Sequence, residues 1–448
     1  MKSLRVLLAG IVCTSFVHAA NWPQWRGPNF DGSSSESGLP TQFSKTENVV
    51  WTAAMPGPSG ATPVVWGDYV FVSSTDETTK SCVAIAIDRK TGKELWRVKI
   101  AEGMGQDRNS TFSNSSPLTD GKHVWFFFAR GDFVCLDLKG KEVWRRNIEK
   151  DYGQFAFQWT FGSTPLLYDG RLYLPVLQRN SPVHGRGRPG AESYLLALDP
   201  ATGKDLWKVV RPSEAREESL ESYCTPMPYT HNGRTELLIT GGDSISGHDP
   251  VTGKEIWSWG TWNPTRIGHW RLVPSASAGA GLALACGPKG APIYAVKLGG
   301  KGTLSNDALA WQSHVQQTED ESKAARSLNN RDVTSDVPTP LFYQGKFYIL
   351  NGTQRSLFCL DPSGKVVWSG SVKGKNLFQS SPTAAEGKIY MMNFAGEVFV
   401  VQAGGDEFKL LHTADMGDNE NMLRASIPIS QGQLFIRTSK NLYCVGKK

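Results

Sequence analysis

After its first twenty residues the chain contains no apolar run of membrane-spanning length, which takes about eighteen residues or more. It also lacks CxxC, HExxH and CxxCH, so thiolate zinc, zincin chemistry and covalent haem have no ligand pattern to rest on. No glycine-rich stretch opens a helix. GRGRPG, from Gly185 to Gly190, falls between strands and reads as a solvated loop, with His184, Arg186 and Arg188 positioned to touch an anionic partner. Nor is there an excess of charge. The 48 Lys and Arg stand against 42 Asp and Glu, and two of the basic residues, Lys2 and Arg5, belong to the N-terminal stretch. So small a balance gives no argument for nucleic acid.

What the 448 residues do hold is turn formers and indoles: 46 Gly, 25 Pro and 15 Trp. That composition suits a β-rich chain with many tight turns and large aromatic anchors. The opening MKSLRVLLAGIVCTSFVHAA has a basic start, an apolar stretch and a small-residue end with Val17 and Ala19 in the V-x-A arrangement. It reads as a secretory signal over residues 1–20, cut after Ala19 or Ala20, and Val12 before Cys13 argues against a lipid anchor. The mature protein is therefore expected to be exported, periplasmic or secreted. Of the seven cysteines, six remain after such a cut.

One phrase recurs through the chain: AIDRKTGKELW from Ala86, CLDLKGKEVW from Cys135, ALDPATGKDLW from Ala197, GHDPVTGKEIW from Gly247 and CLDPSGKVVW from Cys359. Each copy follows a proline that opens a strand-turn-strand. The landmark prolines are Pro63, Pro117, Pro165, Pro226, Pro274, Pro340, Pro382 and Pro428, about 52 residues apart on average, the scale of a propeller blade. One unit reads as a Pro-led strand, a Gly turn, an aromatic strand, an alternating strand ending in Asp, a Gly-Lys turn and a Trp strand. In the turn, Asp199 is placed to accept backbone N–H groups, Gly203 to take the left-handed conformation and Lys204 to stay solvated, while the Trp wedges between blades. The eighth unit ends before its Trp strand, and NVVWTAAM around Trp51 precedes the first landmark. The fold expected is all-β: a single eight-bladed β-propeller of four-stranded antiparallel blades over residues 49–448, closed by the N-terminal strand completing the last blade, with residues 21–48 as a strap. Units five (YAVKLGGKGTLSNDALAW) and seven (VVQAGGDEFKLLHT) are degenerate, and if unit five were an insertion the ring would have seven blades. Cys135, Cys359 and Cys444 share a slot with Ala86, Ala197 and Gly247, which selects small buried residues, and a bridge among Cys82, Cys224 and Cys286 stays unassigned.

The Asp-x-x-Thr-Gly-Lys-x-x-Trp phrase resembles the tryptophan-docking repeat of the pyrroloquinoline-quinone (PQQ)-like propeller superfamily, over essentially the whole mature chain. The start Asn-Trp-Pro-Gln-Trp-Arg-Gly-Pro, from Asn21, resembles that of many uncharacterised secreted bacterial propellers. The superfamily includes quinoprotein dehydrogenases, the propeller lipoprotein of the outer-membrane barrel-assembly machinery and many secreted propellers, so the resemblance implies a fold more narrowly than a function.

The connections from each Trp strand to the next Pro-led strand gather around the channel on one face, and they are the chemically rich segments. They bring forward Arg108, Trp159, Trp270, Arg271, Arg331, Gln379 and Arg424 as candidate ligand-binding groups, with His269 beside them. Glu218, Glu221 and Asn419 are candidate calcium ligands, and Asp332 is a candidate base. Indoles stack on rings, and arginines grip carboxylates. Thr318 and Glu321 form a capping box for a short helix over that face. Two functions follow. The first is a non-catalytic binding or scaffold module for a protein, a glycan or a small ligand, with no cofactor, acting as a monomer or within a cell-envelope complex. The second, implied by the resemblance, is a quinoprotein dehydrogenase with PQQ stacked on Trp159, calcium on glutamate and asparagine and Asp332 taking an alcohol proton. The Cys-Cys pair that many propeller alcohol dehydrogenases place against the cofactor is absent.

Overall fold

In each repeat the middle strands are apolar at almost every position, so they require cover on both faces, while the last strand alternates. Ser81–Asp88 is buried at seven consecutive positions and Tyr194–Leu198 at all five, whereas Glu94–Glu102 alternates exposed and half-covered residues. Sheets stacked face to face in a ring meet both conditions. The computed structural model describes residues 20–105, 110–260, 262–314, 330–420 and 422–447, and it contains eight such sheets. Blade 1 is Val64–Trp66, Tyr69–Asp76, Ser81–Asp88 and Glu94–Glu102. Blades 2 to 7 span 118–147, 166–210, 227–259, 277–312, 341–371 and 383–415. Blade 8 joins Ile429–Ser430, Gln433–Arg437 and Asn441–Gly446 to Val49–Ala54, with Trp51 opposite Cys444 and Ala53 opposite Leu442. Among the described residues no helix is long and apolar enough to cross a membrane.

The repeated phrase is a docking device. Its Trp sits opposite a small residue of the same blade: Trp96 faces Ala86, Trp144 faces Cys135, Trp207 faces Ala197, Trp368 faces Cys359 and Trp51 faces Cys444. The indole then reaches the turn of the following blade. Trp96 Nε1–H donates to the Leu138 carbonyl at 2.9 Å, Trp144 to Pro200 at 2.8 Å, Trp368 to Gly404 at 2.9 Å and Trp51 to Arg89 at 2.6 Å. The turn is held by its aspartate, with Asp199 Oδ1 accepting from Thr202 N–H at 2.8 Å. Its glycine lies against the indole: a Cβ on Gly203 would fall 2.7 Å from Trp144, and one on Gly253 would fall 2.6 Å from Trp207. Glycine is therefore needed both for a φ of 69° and for contact.

The degenerate units are blades too. In unit five Trp311 takes the docking slot opposite Ala295 and donates to the Pro362 carbonyl at 3.0 Å. Its stretched turn pairs Gly302 and Thr303 in parallel with Trp257 and Ser258 of blade 4. Trp257, covered this way, turns to Glu236 of its own blade at 2.5 Å instead of docking forward. In unit seven His412 replaces the Trp, and the strap supplies Phe43, edge-on to the imidazole at 5.4 Å. All six described cysteines are buried free thiols, so the bridge considered among Cys82, Cys224 and Cys286 is not formed. The helix expected around Thr318 and Glu321 lies outside the described residues.

Residues 20–48 strap the ring on the face where the innermost strands end. Trp22 bridges to Val65 of blade 1, Pro23 accepts from Thr119 of blade 2, and the Gln24 side chain pairs with both backbone groups of Leu167 of blade 3. Across the channel, the buried Arg26 guanidinium donates to the carbonyls of Pro382 (2.7 Å) and Pro340 (3.2 Å) in blades 7 and 6. Ser34 N–H donates to Ala384, and Glu36 accepts from Gly432 of blade 8. Trp25 thus lies between the two anchored halves, over the channel.

Docking can be separated from backbone conformation by two glycines with the same φ. Gly170→Ala, at φ 68° with nothing within 4 Å of its Cβ, should cost about 1 kcal/mol of strain. Gly203→Ala should cost about 3 kcal/mol, because its methyl also displaces Trp144. Urea midpoints measure both, and equal losses would refute the docking role of the glycine.

Candidate functional site

The residue that opens each inner strand carries a hydroxyl, and these hydroxyls form a closed ring. Thr62 N–H donates to Ser116 Oγ (2.9 Å), Ser116 to Thr164 Oγ1 (3.1 Å), Thr164 to Thr225 Oγ1 (3.2 Å) and Thr225 to Ser275 Oγ (2.8 Å). Ser275 N–H donates to Thr339 Oγ1 (3.0 Å), Thr339 to Ser381 Oγ (3.0 Å), Ser381 to Ser426 Oγ (3.1 Å) and Ser426 back to Thr62 Oγ1 (3.0 Å). The ring corrects two landmarks. In blades 5 and 8 the slot is Ser275–Ala276 and Ser426–Ile427, so Pro274 stands before it and Pro428 one residue beyond the usual place.

Six of the eight hydroxyls, those of Ser116, Thr164, Thr225, Thr339, Ser381 and Ser426, line a cavity of about 360 Å³ in the central channel. Trp25 of the strap lines it from the strap side and makes its floor. Trp159, Tyr223, Arg271, Gln379, Phe394 and Arg424 form its mouth, and no Asp or Glu is among the described lining residues.

Carboxylates stand one layer behind and fix the wall groups. Glu218 Oε1 accepts from Trp159 Nε1–H at 3.2 Å and lies 3.7 Å from Arg271 Nε. Arg271 makes a two-pronged pair with Asp336, both contacts 3.2 Å, and although burial pulls its pKa down, Asp336 and Glu218 together hold it up. Arg424 donates to Gln379 Oε1 at 2.7 Å and lies over the Phe394 ring at 4.9 Å. Glu221 is fully buried. It accepts from Tyr223 Oη–H at 2.8 Å, from Gln158 N–H at 2.9 and 3.0 Å and from Arg179 Nε–H. Burial pushes its carboxyl up to about 7, against the pull of Arg179 and the other donors.

Of the residues expected to converge, Trp159, Arg271, Gln379 and Arg424 line the cavity, and Glu218 and Glu221 back it. Trp270 donates its backbone N–H to Ser219 Oγ and packs on the core of blades 4 and 5. Arg331 and Asp332 are exposed and outside the lining, with Asp332 Oδ1 accepting from Gln354. Asn419 lies in a separate shallow groove with Lys45 and Asp418. Arg108 lies outside the described residues. Trp25, Tyr223 and Phe394 were not anticipated, nor was a lining role for the hydroxyls. The once-per-blade Ser/Thr before proline was the available signal for the last.

Residues 34–174 match the family model described as outer membrane protein assembly factor BamB. The outer membrane protein assembly factor BamB of Burkholderia pseudomallei (strain K96243) is 27% identical over 242 residues, covering 48% of this chain and 61% of that one. The polyvinylalcohol dehydrogenase of Sphingopyxis sp. (strain 113P3) is 30% identical over 250 residues, 46% of this chain and 34% of the enzyme. The match thus spans between a third and three fifths of those two relatives. The crystal structure of quinohemoprotein alcohol dehydrogenase from Comamonas testosteroni superposes with a TM-score of 0.63 at 15% identity, covering 96% of this chain and 81% of that one. The repeats and the eight-bladed ring fit the PQQ-like β-propeller superfamily.

A carboxyl raised in the folded state keeps its proton longer there than in the unfolded chain. The stability Glu221 contributes is therefore complete below about pH 4.5 and is lost as pH rises through about 7. That loss should reach at most about 3 kcal/mol. Urea midpoints from pH 4.5 to 8 should fall for the parent protein and be flatter for Glu221→Gln, whatever the variant's overall level. Parallel curves would show that Glu221 does not titrate in this range.

Proposed function

We propose that this chain is an exported, non-catalytic propeller that captures a small polar ring in its central channel, alone or within a cell-envelope assembly. One observation carries the reading. The cavity is closed below by an indole, walled by hydroxyls, aromatic rings and two arginines, and has no described carboxylate at its surface. Such a wall offers stacking faces and hydrogen-bond donors, and it offers no base positioned to take a proton from a bound alcohol. The N-terminal apolar stretch and the likeness to an outer membrane assembly factor support export.

The second reading, a PQQ- and calcium-dependent dehydrogenase, is favoured by the names of the enzyme relatives. Trp25 and the two arginines suit a planar, acidic cofactor. The donor set does not suit its calcium. Glu221 is consumed by Arg179, Tyr223 and Gln158, Glu218 by Trp159 and Arg271, and Asn419 lies in another groove. Among the described residues no group of three His, Cys, Asp or Glu side chains could hold a metal ion.

Calorimetric titration with glucuronate, a sugar ring, and quinolinate, a planar one, should give one-to-one binding of at least one of them. Trp25→Ala should weaken it about tenfold, the upper range of a lost aromatic contact. Adding PQQ with calcium should produce no dye reduction with ethanol or glucose. Turnover would replace the binding reading with the enzymatic one.

A further inference from the structure

The neck hydroxyls are only half used. Each of the eight accepts one backbone N–H from the preceding blade, and among the described residues none donates its own hydrogen to a protein acceptor. All eight are buried, Thr62 at 1% exposure and the least covered, Thr225, at 7%. A hydroxyl has one hydrogen to give and lone pairs to receive, so a ring that uses only the lone pairs leaves its hydrogens for whatever occupies the channel. Accepting an N–H also polarises the O–H and makes it a better donor.

The surroundings determine the charge such an occupant carries. Arg271 and Arg424 stand at the mouth, and no described carboxylate reaches the cavity surface. A cation at the neck would meet no described carboxylate at the cavity surface, since Asp336 and Glu218 stand behind Arg271, whereas an oxoanion would receive O–H donors from several blades at once. The same slot explains why each hydroxyl is Ser or Thr. The scaffold needs an acceptor there, and an amide-sized side chain would fill the channel.

We infer that the six channel-lining hydroxyls of this ring, those of Ser116, Thr164, Thr225, Thr339, Ser381 and Ser426, form an oxoanion site that holds the carboxylate, phosphate or sulfate group of the channel ligand. This deepens the channel-binding reading and rests on it only for where the ligand enters.

The test is calorimetry at pH 7 and fixed ionic strength, with acetate, inorganic phosphate and sulfate as probes and with glucose, potassium and calcium as controls. At least one oxoanion should bind one-to-one, and glucose, potassium and calcium should not displace it. Glucuronate binding tenfold tighter than acetate assigns the ring to an acid borne on a larger ligand, and equal affinity assigns it to a free anion. Thr164→Val with Thr225→Val should lower the affinity at least tenfold, and Thr164→Ser with Thr225→Ser, which keeps both hydroxyls, should stay within twofold. If the valine pair fails to fold, Ser116→Ala serves in its place, with at least a threefold loss. Absence of oxoanion binding to the folded parent, unchanged affinity in the valine pair or Ser116→Ala, or saturation by a cation would overturn the assignment. Glucose binding without any oxoanion binding would overturn the ring and leave the channel reading standing, and failure of every ligand, glucuronate and quinolinate included, would overturn both.

Discussion

A circular array of sheets has no intrinsic end, so the one constraint on which this fold depends is closure. Here it is made by main-chain pairing of Val49–Ala54 with Asn441–Gly446, and it brings Trp51 of blade 8 over the Gly92 turn of blade 1. Without that strand, blade 8 would expose an unpaired edge and Trp51 would have no turn to dock on, so the last interface would lose its sheet edge and its wedge together. The hydroxyl ring depends on the same event. Ser426 N–H finds Thr62 Oγ1 only when the two termini meet, so seven of its links are local between neighbouring blades and the eighth is a long-range closure bond.

The strap adds an independent tie. Its anchors fall on blades 1, 2 and 3 and then on 6, 7 and 8, so it spans the ring at the channel instead of following the rim. Arg26 is the costly element, since burial lowers its pKa to about 10 although carbonyls surround it. A buried guanidinium is tolerable because the prolines of blades 6 and 7 leave carbonyl oxygens that no neighbouring strand takes. Trp25, next in sequence, is thereby fixed over the channel, and the floor of the cavity follows from an arginine placed for the scaffold.

The repeat was legible because its letters each serve one local physical need: Asp for the turn amides, Gly for positive φ, Trp for the wedge. Unit five was harder because its turn carries an extra edge strand, Gly302–Thr303, that hides the spacing between Tyr294 and Trp311. Unit seven was harder because the strap's Phe43 completes a dock that no residue of the blade completes alone. The site divides in the same way. Trp159, Arg271, Gln379 and Arg424 were recoverable because the connections they occupy must converge on the channel, whereas Asn419, on the same connection as Arg424, and Arg331 and Asp332, on the connection between blades 5 and 6, lie outside the cavity. Position along a connection sets the level above the neck, and only packing sets the direction of a side chain.

A symmetric scaffold also constrains the chemistry it can host. Any group that every blade supplies is presented eight times around an axis, which favours diffuse, multi-donor recognition over a single reactive geometry. An asymmetric site has to be written on top of that symmetry by non-repeated residues, and here these come from two sides: the connections into blades 3 to 5, where Trp159, Tyr223 and Arg271 are backed by Glu218, Glu221 and Asp336, and the segments around blades 7 and 8, which supply Gln379, Phe394 and Arg424. The repeated neck is therefore suited to hold charge, and the singular mouth to tell one bearer of that charge from another.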